Sequence, residues 1–198
     1  MRHIINLLTL LLLTSGVLHG QQVPLMSGDL LFYEDTAGMG AAVRESTGQY
    51  THVALVTEVG DTVWIVDATQ HYGVSRRPFL RHPDDDRPYP VAYRMSISFD
   101  TAAVIARAKG FIGQPYDDSF LPDNGKMYCS ELIYECFLDA DGNHLFEAKP
   151  MNWRDKEGKL PDYWKKHFEN LGIPVPEGIS GTNPTDLSRS PLLRPISQ

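Results

Sequence analysis

The sequence predicts an α+β domain in which a small antiparallel sheet packs against helices. Residues 51–69 contain two β-branched runs separated by Gly60-Asp61, a pattern that is typical of a β-hairpin. Residues 99–113 begin with an N-cap candidate, Asp100, and end at a glycine, which indicates a helix. Together these patterns predict one sheet and one layer of helices.

The remaining strands are indicated by short apolar runs. Residues 28–33 predict a turn followed by an apolar strand, and residues 73–80 and 90–97 predict two further strands. Residues 82–88 form a charged loop between these last two strands, and we expect this loop to be solvated.

Three further helices and a tail complete the chain. Residues 37–48 are rich in small residues and predict a short helix closed by Gly48. Residues 130–140 and 162–172 predict two more helices, and we expect residues 173–198, rich in Pro, Ser and Gly, to run over the surface in extended form. The predicted buried stripe of the first of these helices consists of Leu132, Ile133, Cys136 and Phe137.

Composition and charge limit the class of protein. The chain has 198 residues, of which 42% are hydrophobic and 22% are charged, and this fits one globular domain. The formal net charge is −7 and the Lys and Arg residues are scattered, which argues against a nucleic-acid-binding face.

Residues 1–20 have the order of a secretory signal peptide. Arg2 and His3 precede an apolar run, residues 4–13, and a short polar stretch follows it. That run is about half of the roughly 20 residues that a membrane span needs. We therefore expect cleavage after Gly20, or alternatively near Gly16, and an exported, soluble domain of residues 21–198 in the periplasm or outside the cell. The alternative is a buried N-terminal helix.

The two cysteines, Cys129 and Cys136, cannot pair if residues 130–140 are helical from about residue 128. They would lie roughly 10.5 Å apart along the helix, whereas a disulfide needs Cα atoms within about 7 Å. The same distance excludes a shared metal site. Cys136 falls in the apolar stripe, while Cys129 falls in the first turn, where the helix dipole stabilises a thiolate. An unreactive thiol at position 129 remains an alternative.

His52 and Asp67 are the ionisable residues that stand out in the predicted hairpin. With a turn at residues 60–61, His52 lies near Thr69 and diagonal to Asp67, and both side chains share one sheet face. The carboxylate could then fix the imidazole tautomer and leave the other nitrogen for a thiol. A half-buried structural histidine and a surface aspartate are the alternatives.

The other histidines offer fewer reasons for a catalytic role. His71 follows a strand end and stays open as a candidate. His3 and His19 belong to the predicted signal, and three more are expected to face solvent, namely His82, His144 and His167.

The sequence does not match the other motifs that would indicate a metal site or a different catalytic centre. Residues 139–147 resemble a calcium loop, but His144 occupies the position that requires glycine. No zinc-protease, serine-hydrolase or phosphate-loop motif is present. The sequence therefore predicts neither a metal site nor a cofactor.

The ordered motifs resemble a known family. "GDLLF", "HVALV" and "VWIVDAT" are similar to the sheet of the NlpC-type cysteine peptidases, a papain-like superfamily of cell-wall amidases. "YCSELIYECF" comes after that sheet, which is the order of the circularly permuted branch, the YiiX/YaeF-like papain-like amidases, relatives of lecithin–retinol acyltransferase. The likeness runs from about Ser27 to Ala140, and "GTNPTDLSRSP" is similar to the tail of that branch.

The resemblance implies a circularly permuted papain-like fold, with a small antiparallel sheet or barrel packed against helices. It implies Cys129 as nucleophile, His52 as base and Asp67 as the orienting residue, where several permuted relatives have glutamate. The Cys129 backbone amide would bind the oxyanion. Tyr128 and Ser130 are candidate oxyanion or substrate-binding residues.

The implied activity is that of an exported cysteine amidase acting on cell-wall peptides or N-acyl amino acids through an acyl-enzyme. An acyltransferase or lipid-ester hydrolase with the same residues is one alternative, and a non-catalytic module that binds an envelope ligand is another. No membrane span is expected, and the oligomeric state is left open. We expect substrate choice to depend on loops within residues 37–48, 82–90 and 119–126.

Overall fold

A six-stranded antiparallel sheet is the centre of the fold. The computed structural model describes residues 23–80 and 88–196, and the sheet has the strand order β4-β3-β2-β1-β5-β8. Its strands are β1 (Leu30–Tyr33), β2 (His52–Val59), β3 (Val63–Thr69), β4 (Gly73–Pro78), β5 (Val91–Met95) and β8 (Leu193–Pro195). A separate two-stranded ribbon consists of β6 (Lys149–Pro150) and β7 (Ser180–Gly181). The large sheet has edges at β4 and β8, so it is an open sheet and not a barrel.

The β2–β3 hairpin has the predicted register next to the candidate site. Leu55 pairs with Val66 and Val56 with Ile65. A β-bulge after Val56 then shifts the pairing by one residue toward the turn. The bulge lies toward the turn and away from His52, and the two pairs on the His52 side of it have the predicted register.

Five helices are present in the described part of the chain. They are α1 (Gly38–Thr47), α2 (Thr101–Gly110), α3 (Cys129–Cys136), α4 (Asp162–Leu171) and α5 (Pro184–Ser188). As predicted, the Asp100 side chain caps α2 by accepting a hydrogen bond from the Ala103 amide at 2.9 Å. Gly48 and Gly172 follow the ends of α1 and α4 in positive-φ conformations.

Helix α3 is shorter than the 130–140 segment predicted from its apolar stripe. It ends at Cys136, and Phe137 is no longer helical. The Asp139 carboxylate accepts hydrogen bonds from the amides of Asp141 and Asn143, at 2.9 and 2.8 Å. This local turn competes with continuation of the helix.

The C-terminal tail is not a simple extended strap, contrary to prediction. Its residues form β7, the short helix α5 and the edge strand β8. Asn183 caps α5 by accepting from the Asp186 amide at 2.8 Å, and Leu187 and Leu193 are buried. The Pro- and Ser-rich composition gave no apolar pattern from which to predict these elements, because only a few apolar residues, such as Leu187 and Leu193, anchor them.

The sheet buries apolar side chains on both faces. One face packs against α2 and α3 and forms the main core with Leu132, Ile133 and Cys136. The other face is a second apolar cluster, to which Leu25 and Ile196 also belong. The sheet residues of that second cluster are Leu31, Ala54, Val56, Ile65 and Ala92. By strand alternation His52 and Asp67 share the face of Ala54 and Ile65, as predicted.

In the described residues, no helix is long and apolar enough to cross a membrane. The predicted signal peptide, residues 1–20, lies outside the described residues, as does most of the charged loop with His82.

Gly73, the first residue of β4, packs against the backbone of Gln114, in the loop that leads toward α3. Its φ is +62°, and an added Cβ would lie 2.3 Å from the Gln114 carbonyl oxygen. We expect Gly73→Ala to lower the free energy of unfolding by about 2–4 kcal/mol through backbone strain and overpacking. Gly60→Ala is the matched control, because nothing lies within 4 Å of its added Cβ, and it should change stability by less than about 0.5 kcal/mol. Urea unfolding measures both, and equal effects would contradict the prediction.

Candidate active site

Cys129 is the first residue of α3 and has only 6% of its surface exposed. Tyr128 precedes the helix in an extended conformation, and its amide donates to the Glu131 carboxylate at 3.3 Å. The first amides of a helix have no partner within the helix, so the thiol lies where the backbone favours negative charge. Cys136, at the other end of α3, is completely buried in the core. Burial raises the pKa of the Cys136 thiol to about 12, as expected of an inert core thiol.

His52 is the first residue of β2 and lies near both of its predicted partners. Its Nε2 lies 2.8 Å from Asp67 Oδ2, and it lines the same cavity as Cys129, whose charge acts on the imidazole. Because Asp67 occupies Nε2, Nδ1 is the nitrogen left for the thiol. The imidazole packs against the Tyr33 ring at a centroid distance of 5.4 Å. The structure thus brings together all three residues that the sequence predicted as a set.

Asp67 is completely buried and has a second cationic partner. Arg77, on β4, donates from Nε to Asp67 Oδ1 at 3.1 Å and from Nη2 to Oδ2. Burial alone would raise the pKa of the Asp67 carboxyl, but the hydrogen bonds and charges of His52 and Arg77 lower it below its usual value. The carboxylate is therefore held ionised. Sequence reasoning missed Arg77, although the β3–β4 register could have indicated it.

The pKa of His52 is raised from 6.5 to about 10. Burial opposes this shift, and the neighbouring negative charges of Cys129 and Asp67 outweigh it. Its side chain keeps 22% of its surface exposed. An imidazole in this setting accepts the proton of the thiol readily and forms an imidazolium beside a thiolate.

Tyr128 and Ser130 are both bound to the C-terminal segment. The Tyr128 hydroxyl accepts from the Thr182 amide at 3.1 Å, and the Ser130 hydroxyl donates to the Thr182 carbonyl at 3.1 Å. The residues before and after Cys129 therefore both hydrogen-bond to the backbone of Thr182. The oxyanion or substrate contact expected of them stays a prediction. The Ser130 proton is used in this contact, whereas the Tyr128 hydroxyl only accepts and can still donate.

A cavity of about 490 Å³ opens onto Cys129 and His52. This volume is in the range of small-molecule sites. One wall is apolar and largely aromatic, and it includes Met39, Val43, Tyr116, Phe120, Met151 and Trp153. Polar residues also line the cavity, among them Glu34, Asp35, Thr51, Gln70, His71 and Arg77. The candidate nucleophile therefore shares its cavity with both apolar and polar side chains.

Tyr116 is a second residue that sequence reasoning missed. Tyr116 lines the cavity, and its hydroxyl has a weak contact with the Met39 sulfur, at 3.7 Å. Burial raises the pKa of Tyr116 well above its usual value, and the negative charge of Cys129 adds to the effect. The phenol therefore stays protonated and can donate a hydrogen bond. Tyr116 lies in a loop, where an isolated bridge to Met127 and packing against Phe120 position it, so periodicity gave no signal.

The remaining described histidines lie apart from the His52–Asp67 pair. His71 is exposed at the cavity rim, and His144 stacks on Tyr134 at a centroid distance of 3.7 Å. His167, expected to face solvent, is half-buried instead, because its Nε2 hydrogen-bonds to the Asp118 carbonyl at 2.7 Å.

Comparison with known proteins assigns the family. The model of the family described as "Permuted papain-like amidase enzyme, YaeF/YiiX, C92 family" matches residues 24–197. The chain belongs to this family. Membership confirms the resemblance seen in the sequence and the permuted papain-like fold, and it supports a cysteine-type amidase or peptidase in general.

Two relatives from Escherichia coli agree with this assignment. The uncharacterized protein YiiX of strain K12 is 22% identical over 175 residues, which cover 87% of this chain and 86% of that protein. A crystal structure titled as metalloprotein yiiX from E. coli O157:H7 superposes with a TM-score of 0.69 at 21% identity, covering 87% of this chain and 96% of that one. That level of identity supports the shared fold alone.

The description as a metalloprotein applies to the E. coli protein. Within residues 23–80 and 88–196 of this chain, no three His, Cys, Asp or Glu side chains are grouped so that they could hold a metal ion. The described residues therefore do not fit a metal centre of that composition.

The raised pKa of His52 predicts a specific pH dependence of stability. Its imidazolium stabilises the folded protein fully below about pH 6.5, and this contribution is lost as the pH rises toward 10. We expect the free energy of unfolding to fall more steeply over this interval in the wild type than in His52→Gln. The His71→Gln variant, altered at an exposed histidine of the same cavity, should follow the wild type. Urea unfolding at several pH values measures the slopes, and parallel curves for wild type and His52→Gln would refute the prediction.

Proposed function

We propose that this protein is an exported cysteine amidase that hydrolyses the amide bond of an N-acyl amino acid or a cell-envelope peptide. The observation that carries the proposal is the arrangement of Cys129, His52 and Asp67, with the thiol in the first turn of α3. Family membership supports amide chemistry in general. Export rests on the signal-like sequence of residues 1–20.

In the first half of the proposed reaction, Cys129 attacks the amide carbonyl carbon. His52 Nδ1 takes the thiol proton, and Asp67 holds Nε2–H so that the imidazolium stays oriented. The tetrahedral intermediate collapses when the imidazolium donates its proton to the amine nitrogen. The carbon–nitrogen bond breaks, the amine leaves, and the acyl group remains on sulfur as a thioester.

In the second half, neutral His52 takes a proton from water, and the resulting hydroxide attacks the thioester carbonyl. The carbon–sulfur bond breaks and the acid leaves. The Cys129 thiolate and the protonated His52 then form their ion pair again. The same imidazole thus acts as base, acid and base again. This alternation requires that Asp67 stay ionised throughout, in line with its lowered pKa.

The oxyanion of both tetrahedral intermediates needs hydrogen-bond donors. The Cys129 backbone amide, at the start of α3, is one candidate. Tyr116 is the side-chain candidate favoured here, because it lines the cavity and the contact of its hydroxyl with the Met39 sulfur is weak. The Tyr128 hydroxyl accepts from the Thr182 amide, which leaves its own proton free to donate, so Tyr128 is a second candidate.

The cavity favours a substrate with an apolar acyl group. Its aromatic wall, with Phe120 and Trp153, offers burial to an acyl chain or an aromatic side chain. The polar lining residues, with Thr51, Gln70 and His71, offer hydrogen bonds to the polar amino-acid part. An N-acyl amino acid has both parts on the two sides of one amide bond.

The apolar wall also favours a second candidate function. An acyltransferase or lipid-ester hydrolase would use the same thioester and the same aromatic surface. The two functions differ in the second half of the reaction, where an alcohol or amine would replace water as the acceptor.

The proposal predicts that Cys129→Ala abolishes turnover, whereas Cys136→Ala leaves it nearly intact. Loss of the nucleophile should reduce kcat by on the order of 10³-fold or more. Cys136 is the matched control, because it is a fully buried thiol on the same helix. Mass spectrometry of products from N-acyl amino acids, muropeptides and acyl esters, with and without an added amine or alcohol, measures both hydrolysis and transfer.

Each outcome of that screen separates the candidates. Acids released from amides support the amidase, and acylated acceptors that outrun hydrolysis support the transferase. Full activity of Cys129→Ala would eliminate both. Ligand binding by a wild type that turns over no substrate, with a Cys129 thiol no more reactive toward iodoacetamide than a free thiol, would instead indicate a binding module.

Tyr116→Phe tests the oxyanion donor. We expect kcat to fall about 100-fold with little change in KM, because the hydroxyl would act mainly on the intermediate. Tyr72→Phe is the control, since that ring is 67% exposed on a turn. A Tyr116→Phe enzyme with wild-type kcat would remove Tyr116 from the mechanism.

A further inference from the structure

Asp67 is shared between two cationic side chains. Its Oδ2 accepts from both His52 Nε2, at 2.8 Å, and Arg77 Nη2, while its Oδ1 accepts from Arg77 Nε at 3.1 Å. The guanidinium therefore holds the carboxylate through both oxygens, which fixes its plane as well as its position. His52 therefore hydrogen-bonds to a carboxylate whose orientation Arg77 has already fixed.

The strand register explains why Arg77 reaches Asp67 and its neighbour does not. Asp67 pairs with Ser75 on β4, so Arg77 lies two residues further along on the same sheet face. Arg76 projects to the opposite face, where it pairs with Glu58 at 2.7 Å and stacks over the Trp64 ring at 3.8 Å. The chain thus has two adjacent arginines in the same strand with different surroundings.

The charge of Arg77 has two effects on the pair formed by His52 and Asp67. It keeps a fully buried carboxylate ionised, which burial alone would disfavour. It also offsets part of the negative charge that His52 meets, so the imidazolium is stabilised less than it would be by an isolated carboxylate. The other charged or titratable groups that line this cavity are Glu34, Asp35, His71, Cys129 and the tyrosines Tyr33, Tyr89, Tyr116 and Tyr128. Glu34 is itself paired with Arg44 at 2.8 Å.

We propose that Arg77 is a positioning residue of this site: it acts through Asp67 to orient His52 and to limit how strongly the imidazolium is held. The role rests on the proposed thiol mechanism. Arg77 does not need to touch the reacting atoms. Its effect is on how readily His52 gives up a proton to the leaving amine and takes one from water.

The test compares Arg77→Gln, Arg77→Lys and Arg76→Gln. Arg77→Gln should lower kcat by about 10-fold to 100-fold with little change in KM, as expected for the loss of a charged partner behind a reacting group. The upper pH limit of kcat/KM should move to higher pH, because the unshared carboxylate holds the imidazolium more tightly. Arg77→Lys should keep the wild-type pH limit but recover only part of kcat, since an ammonium cannot bind both oxygens in one plane. Arg76→Gln should behave as the wild type.

A second measurement needs no substrate. The rate of Cys129 alkylation by iodoacetamide against pH reports on the thiolate–imidazolium pair directly, and Cys136 is buried. In Arg77→Gln the rapid reaction should persist to lower pH, because a more strongly stabilised imidazolium favours proton transfer from the thiol. Thermal unfolding of each variant corrects both measurements for the folded fraction.

The outcomes distinguish failure of this inference from failure of the amidase mechanism. If the wild type is active and Cys129→Ala is not, yet Arg77→Gln keeps the wild-type kcat and both pH profiles, then Arg77 has no positioning role. A uniform loss of activity with unshifted profiles, or an equal loss in Arg76→Gln, would assign Arg77 a structural role only. If the wild type turns over no amide, the amidase mechanism fails, and the alkylation profiles alone decide whether Arg77 sets the state of the Cys129–His52 pair.

Discussion

The ion pair network around Asp67 is the constraint on which the candidate site depends. A fully buried carboxylate is costly unless cations and hydrogen bonds compensate it. The flanking strands each supply one partner, His52 from β2 and Arg77 from β4. One side chain therefore ties three neighbouring strands together and fixes the imidazole that faces Cys129. His52, Asp67 and Arg77 all lie on strands of the central sheet, which suits a geometry that catalysis would have to preserve.

The hairpin part of this network could be predicted because it needs a single register. One turn at residues 60–61 and strict alternation were enough to place His52 and Asp67 on one face. Arg77 requires a second register, across β4, and its strand is short and rich in polar residues. Tyr116 could not be found in this way, because its loop has no period and its position depends on tertiary contacts.

The surroundings of Cys129 were harder to predict because they come from distant parts of the chain. The apolar stripe correctly assigned Cys136 to the core and Cys129 to the helix start. It could not show that the hydroxyls of Tyr128 and Ser130 would both meet Thr182, more than 50 residues later. Low apolar content in the tail concealed two short strands and a helix, since these are held by contacts with the rest of the domain and not by local propensity.

The position of β8 has a consequence for how the molecule folds. β8 pairs with β5 through Tyr93 and Pro195, which are about 100 residues apart, and Thr182 completes the surroundings of the nucleophile. Contacts at such separations incur the entropy of closing long loops before they return any stabilisation, and folds rich in them form slowly. We therefore expect the cavity to be completed late on the folding pathway. The thiol would gain its finished environment only when nearly the whole chain has reached its native topology.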